Sequence, residues 1–165
     1  WSFLRMRPAS FPTIRLALLA SLLPSICDIP LLARPGPSAS DWLDLLRARA
    51  AGYWDDHFTF GSVSPRNWPK SIGTQLRTSL IANAISPFYT AYGKYSDDHS
   101  FIRKAMALLD ASAPENNRIT RQWQALRLHK PSGTESQGLL ELFHSYCTPR
   151  RCLECRIGYL VLRSD

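Results

Sequence analysis

The residue types best suited to chemistry are concentrated near the carboxyl end of the sequence, in the stretch HSYCTPRRCLECRIG. Three of the four cysteines lie there, at the spacing Cys147-x4-Cys152-x2-Cys155, and His144 precedes the first of them by one helical turn. A Cys-x2-Cys turn directs two thiolates toward one ion, and Cys147 can supply a third sulfur. The pattern therefore predicts a structural metal site.

Three sulfurs leave one position open at a tetrahedral centre, and the sequence offers several ligands for it. Cys27 ranks first because it belongs to a proline-broken linker that can fold back, and His144 ranks second. A residue from an upstream part of the protein is the third choice. Zinc accepts either three sulfurs and a nitrogen or four sulfurs, whereas an iron–sulfur cluster prefers a fourth cysteine. The alternative is that the thiols bind no metal and are inert or redox-active.

The charge balance points to an anionic partner. The formal net charge is +7, from 20 basic and 13 acidic side chains. Such an excess favours DNA or RNA over a membrane, although a surface charge that only aids solubility is equally consistent with it. Guanidinium groups match the geometry of phosphate. The predicted phosphate-binding residues are Arg118, Arg121, Arg150, Arg151 and Arg156.

The densest acid–base cluster is the stretch WDDHF, with Asp55, Asp56 and His57. These side chains are candidates for general acid–base catalysis or metal binding. The commoner use of such residues is to cap a helix and hydrogen-bond beside it. The sequence contains no phosphate-cradling glycine loop, no glycine-flanked serine nucleophile and no zinc-protease histidine pair.

The first element predicted along the chain is an amphipathic helix over residues 11–23. Ile14, Leu18 and Leu22 repeat at helical spacing after Pro12, and Pro24 is expected to end the helix. The apolar run is far shorter than the roughly 20 residues that a membrane span needs. We therefore expect a buried helix, a cytoplasmic protein and no membrane partner. Disulfides are rare in that reducing compartment, which favours metal or redox thiols.

The remaining sequence reads as helices separated by proline- and glycine-rich breaks. A linker at 28–40 and a turn-rich loop at 55–73 carry no regular pattern, and the last segment, 155–162, fits either a helical turn or a strand. Ser40 or Asp41, Asp97 or Asp98, and Thr134 are the expected N-caps. Helices are predicted over residues 41–54, 71–87, 86–95, 99–112, 114–128 and 135–147, with Gly93 expected to stop the third and Asn116 and Asn117 expected to mark the start of the fifth. The fold class is all-α: six or seven helices in one compact, bundle-like domain over residues 1–165, with a cysteine-rich tail at 147–165.

Several phrases occur together in an order that resembles a known family. They are RPASFPTIRLALLASLL, GYWDDHFTFG, SIGTQLRTSLIANAISPFYTAYGK, PENNRITRQW and ESQGLLELFHSYCTPRRCLECRIG. They are similar to the bacterial family named domain of unknown function 2851 over nearly the whole chain. The resemblance implies the C-terminal helical region of a larger cytosolic protein, whose N-terminal half would be a further partner. It implies no activity, substrate or catalytic residues.

Three functional hypotheses follow. The first is an accessory module that binds or helps to process nucleic acid and holds its tail with zinc or an iron–sulfur cluster. The second is a part of an enzyme whose active centre lies in a missing N-terminal half, with WDDHF contributing. The third is a plain interaction scaffold. The first hypothesis predicts binding to DNA or RNA that weakens with salt, and the second predicts activity only in a longer protein. The third predicts neither property.

Overall fold

The structure is a computed structural model that describes residues 6–7, 10–27, 36–126 and 131–163. Helices dominate it, which confirms the all-α prediction. Contacts between Cα atoms divide the chain into two compact units, Trp1–Leu80 and Ile81–Asp165. Among the described residues, no helix is long and apolar enough to cross a membrane.

The first unit is built on helix α1, and its elements are α1 (Pro12–Cys27), α2 (Ala39–Leu45), a 3₁₀ turn (Gly52–Asp55), β1 (His57–Thr59), β2 (Ser62–Val63) and α3 (Thr74–Leu80). As predicted, α1 begins at Pro12 and buries Ile14, Leu18 and Leu22. The Thr13 hydroxyl donates to the Phe58 carbonyl at 2.5 Å and fixes α1 against β1. Trp42, Leu46, Ala50, Trp54 and Ile72 complete the core.

Several predicted boundaries in this unit are wrong, and α2 ends at Leu45 where the sequence predicted an end at residue 54. Helix α1 continues through Pro24 to Cys27, so Cys27 is the last residue of a helix and not part of a linker. A proline removes one backbone hydrogen bond, and here a single lost bond does not stop the last turn. The cap of α2 is Ser38: its hydroxyl accepts from the Asp41 N–H, and the Asp41 carboxylate accepts from the Ser38 N–H at 2.9 Å. Residues 28–35 of the expected linker lie outside the described residues.

The segment 55–73, predicted to be a loop, contains a two-stranded antiparallel hairpin. Gly61 makes the reversal possible, because its φ of +69° falls in the left-handed region that glycine adopts at little cost. After the hairpin, the chain returns along residues 48–50. The Ala50 N–H donates to the Lys70 carbonyl at 2.9 Å, and the Ile72 N–H donates to the Ala48 carbonyl at 3.0 Å. These bonds close the loop into an ordered substructure.

The second unit contains a π-helical turn (Ile81–Ile85), α4 (Ser86–Tyr95), α5 (His99–Asp110), α6 (Arg118–Ala125), α7 (Gly133–Leu142), a second π-helical turn (Phe143–Cys147) and α8 (Arg156–Arg163). Its buried apolar side chains include Ile81, Tyr89, Phe101, Ala105 and Leu108. Helix α5 has the strong amphipathic pattern expected of it, and its cap is Asp98, one of the two predicted residues.

Other boundaries in this unit differ from prediction. Helix α4 passes through Gly93, where a stop was expected. A Cβ atom on Gly93 would lie 2.9 Å from the Ile102 Cγ1 atom, so the glycine permits close approach of α5. Ser132, not Thr134, caps α7. The last segment is helix α8, which resolves the open choice between turn and strand.

Candidate functional site

The cysteine-rich segment follows the π-helical turn at the end of α7, and backbone hydrogen bonds between residues close in sequence hold its fold. The Arg151 N–H donates to the Tyr146 carbonyl at 2.8 Å across the end of the π-helical turn, and Arg150 adopts a φ of +59°. The Cys155 N–H then donates to the Cys152 carbonyl at 3.3 Å, and α8 starts at the next residue. The segment is therefore an ordered turn between two helices.

All four cysteines are free thiols in the structure, but their environments differ. Cys155 is buried, with 7% of its surface exposed, whereas Cys147 and Cys152 are exposed. Cys27, the predicted fourth ligand, is also exposed and belongs to the first unit. His144, the second choice, is exposed and makes an edge contact with the Phe143 ring, at 5.8 Å between ring centroids.

The side-chain arrangement adds no support to the metal hypothesis. Within the described ranges, which include all five proposed ligands, no group of three or more His, Cys, Asp or Glu residues is arranged to hold a metal ion. The zinc or iron–sulfur site on Cys147, Cys152 and Cys155 therefore stays a prediction from spacing, to be tested by metal content.

The five predicted phosphate-binding arginines are all exposed, but they are not equally available. Arg151 forms an ion pair with Glu154, and its Nε–H donates to that carboxylate at 3.0 Å. This hydrogen bond raises the pKa of Arg151 and lowers the pKa of Glu154. The Arg121 Nε–H donates to the Asn117 carbonyl at 3.2 Å, which orients its side chain along the start of α6.

The other three, Arg118, Arg150 and Arg156, we call the arginine trio. None of their side chains makes a hydrogen bond or ion pair with any residue in the described part of the chain. A guanidinium group in that condition keeps all five N–H donors available to a ligand. Arg150 and Arg156 belong to the cysteine-rich segment and its boundary with α8, and Arg118 begins α6.

The acid–base cluster of the first unit, Asp55, Asp56 and His57, makes contacts with the hairpin and the turn before it. His57 Nδ1 lies 2.7 Å from the Asp56 carboxylate and 3.0 Å from the Tyr53 carbonyl. Its ring stacks on the Tyr53 ring at 4.0 Å between centroids. Since both partners accept, the Nδ1 atom carries the proton. The Asp55 carboxylate accepts from Arg49 at 2.5 Å. The catalytic role of Asp55, Asp56 and His57 stays a prediction.

A buried lysine beside this cluster was not found from the sequence. Lys70 is 5% exposed; its ammonium donates to the Asp55 carbonyl and lies 4.3 Å from the centre of the Phe58 ring. Burial lowers the pKa of Lys70, although the carboxylates of Asp55 and Asp56 act in the opposite direction. Nothing in the stretch NWPKSIG distinguishes this lysine from a solvated one.

Three aromatic residues of the first unit, Tyr53, Trp54 and Trp68, differ in their exposure. Trp54 is buried in the first unit, as large loop aromatics usually are, whereas Tyr53 and Trp68 are 44% and 47% exposed. Trp68 lines a cleft of about 410 Å³ together with Arg15, Gln75 and the apolar side chains of Leu18 and Leu76. Trp68 and Arg15 therefore border one groove of this unit.

Comparison with known proteins gives a family without a described activity. The family model "Protein of unknown function (DUF2851)" matches residues 1–118, which is well over half of the sequence. No significant match to the chain was found among curated proteins or solved structures. This chain belongs to the family DUF2851.

Proposed function

We propose that the chain is a nucleic-acid-binding module whose second unit contacts phosphate groups through the arginine trio. The observation that carries the proposal is the state of these side chains: they are exposed, and no carboxylate in the described part of the chain neutralises them. Arg151, by contrast, is paired with Glu154. Unpaired guanidinium groups release counterions when they bind phosphate, which drives association.

The overall charge supports the same partner. A net charge of +7 on a chain of this size attracts polyanions at long range, and the five predicted arginines account for a quarter of its 20 basic residues. In the first unit, Trp68 and Arg15 border a common cleft, which provides an aromatic surface for a base next to a cation for its phosphate. The aromatic surface is the feature that favours nucleic acid over an acidic protein surface.

Metal binding and catalysis are not included in the proposal. The described residues hold no arranged group of three metal ligands, and Asp55, Asp56 and His57 are engaged in contacts with their own hairpin and the turn before it. Binding by exposed arginines requires neither feature. The module would act through affinity alone.

A pair of matched variants tests the proposal. In the first, Arg118, Arg150 and Arg156 are replaced by glutamine; in the second, Arg47, Arg121 and Arg151, which already bond to oxygens of the protein, are replaced by glutamine. Both variants lose three positive charges, so they differ in whether the replaced guanidinium groups are already engaged. We expect the first variant to bind a labelled oligonucleotide roughly tenfold or more weakly than wild type, because charge-assisted hydrogen bonds are lost. The second should remain within about threefold of wild type. An equal loss in both would refute the assignment of the site.

A further inference from the structure

We propose that Cys152 and Cys155 form a redox-active dithiol that undergoes thiol–disulfide exchange with small-molecule or protein disulfides. The hydrogen bond from the Cys155 N–H to the Cys152 carbonyl, at 3.3 Å, closes a four-residue turn. Such a turn holds its first and last Cα atoms within about 7 Å of each other. Disulfides require Cα separations of about 4.4–6.8 Å, so the backbone already places the two residues near the range of a bond.

The unequal burial of the two thiols assigns their roles. Cys152 is exposed and can be reached by a disulfide in solution, whereas Cys155 is only 7% exposed. An accessible thiol suits the attacking residue, and a shielded thiol suits the one that resolves the mixed disulfide. Cys147 is exposed but lies outside this turn, so it offers a natural comparison within the same segment.

The packing of α8 holds the turn in this conformation. A Cβ atom at Gly158 would collide with the carbonyl oxygen of Cys152, so the absence of a side chain there lets the helix lie directly against the turn. The Tyr159 N–H donates to the Cys155 carbonyl at 2.8 Å and joins Cys155 to the first turn of α8. These contacts keep the two cysteines close together. They therefore favour a disulfide between Cys152 and Cys155 over a disulfide with a cysteine of another segment.

The exchange is balanced with a disulfide as the oxidant. The Cys152 sulfur loses its proton and attacks one sulfur of a disulfide such as oxidised glutathione, forming a mixed disulfide and releasing one thiol. The Cys155 sulfur then loses its proton and attacks the Cys152 sulfur, forming the Cys152–Cys155 bond and releasing the second thiol. The protein dithiol is oxidised by two electrons, and the glutathione disulfide is reduced to two thiols.

Mass spectrometry of the full chain after incubation with oxidised glutathione tests the inference. We expect wild type and Cys147→Ser to form the Cys152–Cys155 disulfide without a lasting adduct on either residue. Cys155→Ser should instead accumulate glutathione on Cys152, because the resolving thiol is missing. A wild-type protein that retains glutathione on Cys152, or that pairs Cys147 with either residue, would overturn the proposal.

The same samples separate this proposal from the metal hypothesis. We expect the purified, reduced protein to contain no stoichiometric zinc or iron and Cys152 to react without addition of a chelator. One metal ion or cluster per chain, together with protection of Cys152 until a chelator removes it, would replace the dithiol with the metal site predicted from the cysteine spacing. Gly158→Ala provides a second check, since displacement of α8 should slow closure of the disulfide without blocking the first attack on Cys152.

Discussion

The Lys70 ammonium donates a hydrogen bond to the Asp55 backbone carbonyl at 2.5 Å, in a position where Lys70 is only 5% exposed. Burial disfavours the charged form and lowers the pKa of Lys70 below 10.5, the value for a solvated lysine. At a pH between the lowered pKa of folded Lys70 and the value of 10.5 for the unfolded chain, the unfolded chain holds more protons than the folded chain. The Lys70 contribution to the free energy of unfolding should therefore rise as pH increases toward 10.5.

Lys70→Met isolates this effect, because it keeps a long apolar stem and removes the titrating group. We expect the free energy of unfolding of wild type, minus that of the variant, to increase between neutral pH and about pH 10. Urea unfolding at several pH values measures the difference, and titration of other groups cancels in it. The Asp55 carbonyl still accepts from the Trp68 N–H at 2.9 Å in the variant. Parallel pH profiles for the two proteins would contradict the account of Lys70.

Two glycines in α7 provide an opposed pair of substitutions. A Cβ atom on Gly133 would collide with the Leu109 carbonyl and lie 2.9 Å from the Ser112 carbonyl, whereas a Cβ on Gly138 meets nothing within 4 Å. We expect Gly133→Ala to cost about 2–4 kcal/mol, because a rigid backbone must move. Gly138→Ala should stabilise the helix by about 0.5–1 kcal/mol. Chemical denaturation of both variants measures the two effects. Equal changes would show that α7 does not pack on the end of α5 as described.

Two adjacent leucines of α1, one buried and one exposed, test the core of the first unit. Leu18 is 6% exposed and Leu19 is 47% exposed, although they are neighbours in sequence. Leu18→Ala should cost roughly 2–5 kcal/mol because it leaves a cavity, and Leu19→Ala should cost less than about 1 kcal/mol. The comparison requires only unfolding curves for three proteins. A larger loss at Leu19 than at Leu18 would mean that α1 is rotated relative to its described orientation.

Features that depend on local sequence were predictable. The spacing of Ile14, Leu18 and Leu22 identified the buried face of α1, and Asp98 was found as a cap because its side chain needs only the next turn of its own helix. Asn117, which the sequence placed at a helix start, caps α6. Each of these inferences uses residues within a few positions of one another.

Features that depend on distant neighbours were not predictable. Gly93 was expected to end α4, but its role is set by Ile102 on α5, which the sequence does not place beside it. The burial of Lys70 depends on the hairpin and on the return of residues 48–50. In the candidate site, the spacing of Cys152 and Cys155 was evident from the sequence, but their unequal exposure was not. The ion pair between Arg151 and Glu154, which distinguishes Arg151 from the arginine trio, depends on side-chain conformation and was likewise not predictable from the sequence.

The salt dependence of nucleic-acid binding tests the central claim most directly. Fluorescence anisotropy with a labelled oligonucleotide, over roughly 50–300 mM salt, gives the slope of log K against log salt concentration. Each phosphate neutralised contributes about 0.7 to this slope for a single strand and about 0.9 for a duplex. We predict a steep negative slope for wild type that becomes shallower by about 2–3 when Arg118, Arg150 and Arg156 are replaced by glutamine. No binding at about 50 mM salt, or the same slope in wild type and variant, would contradict the proposed function.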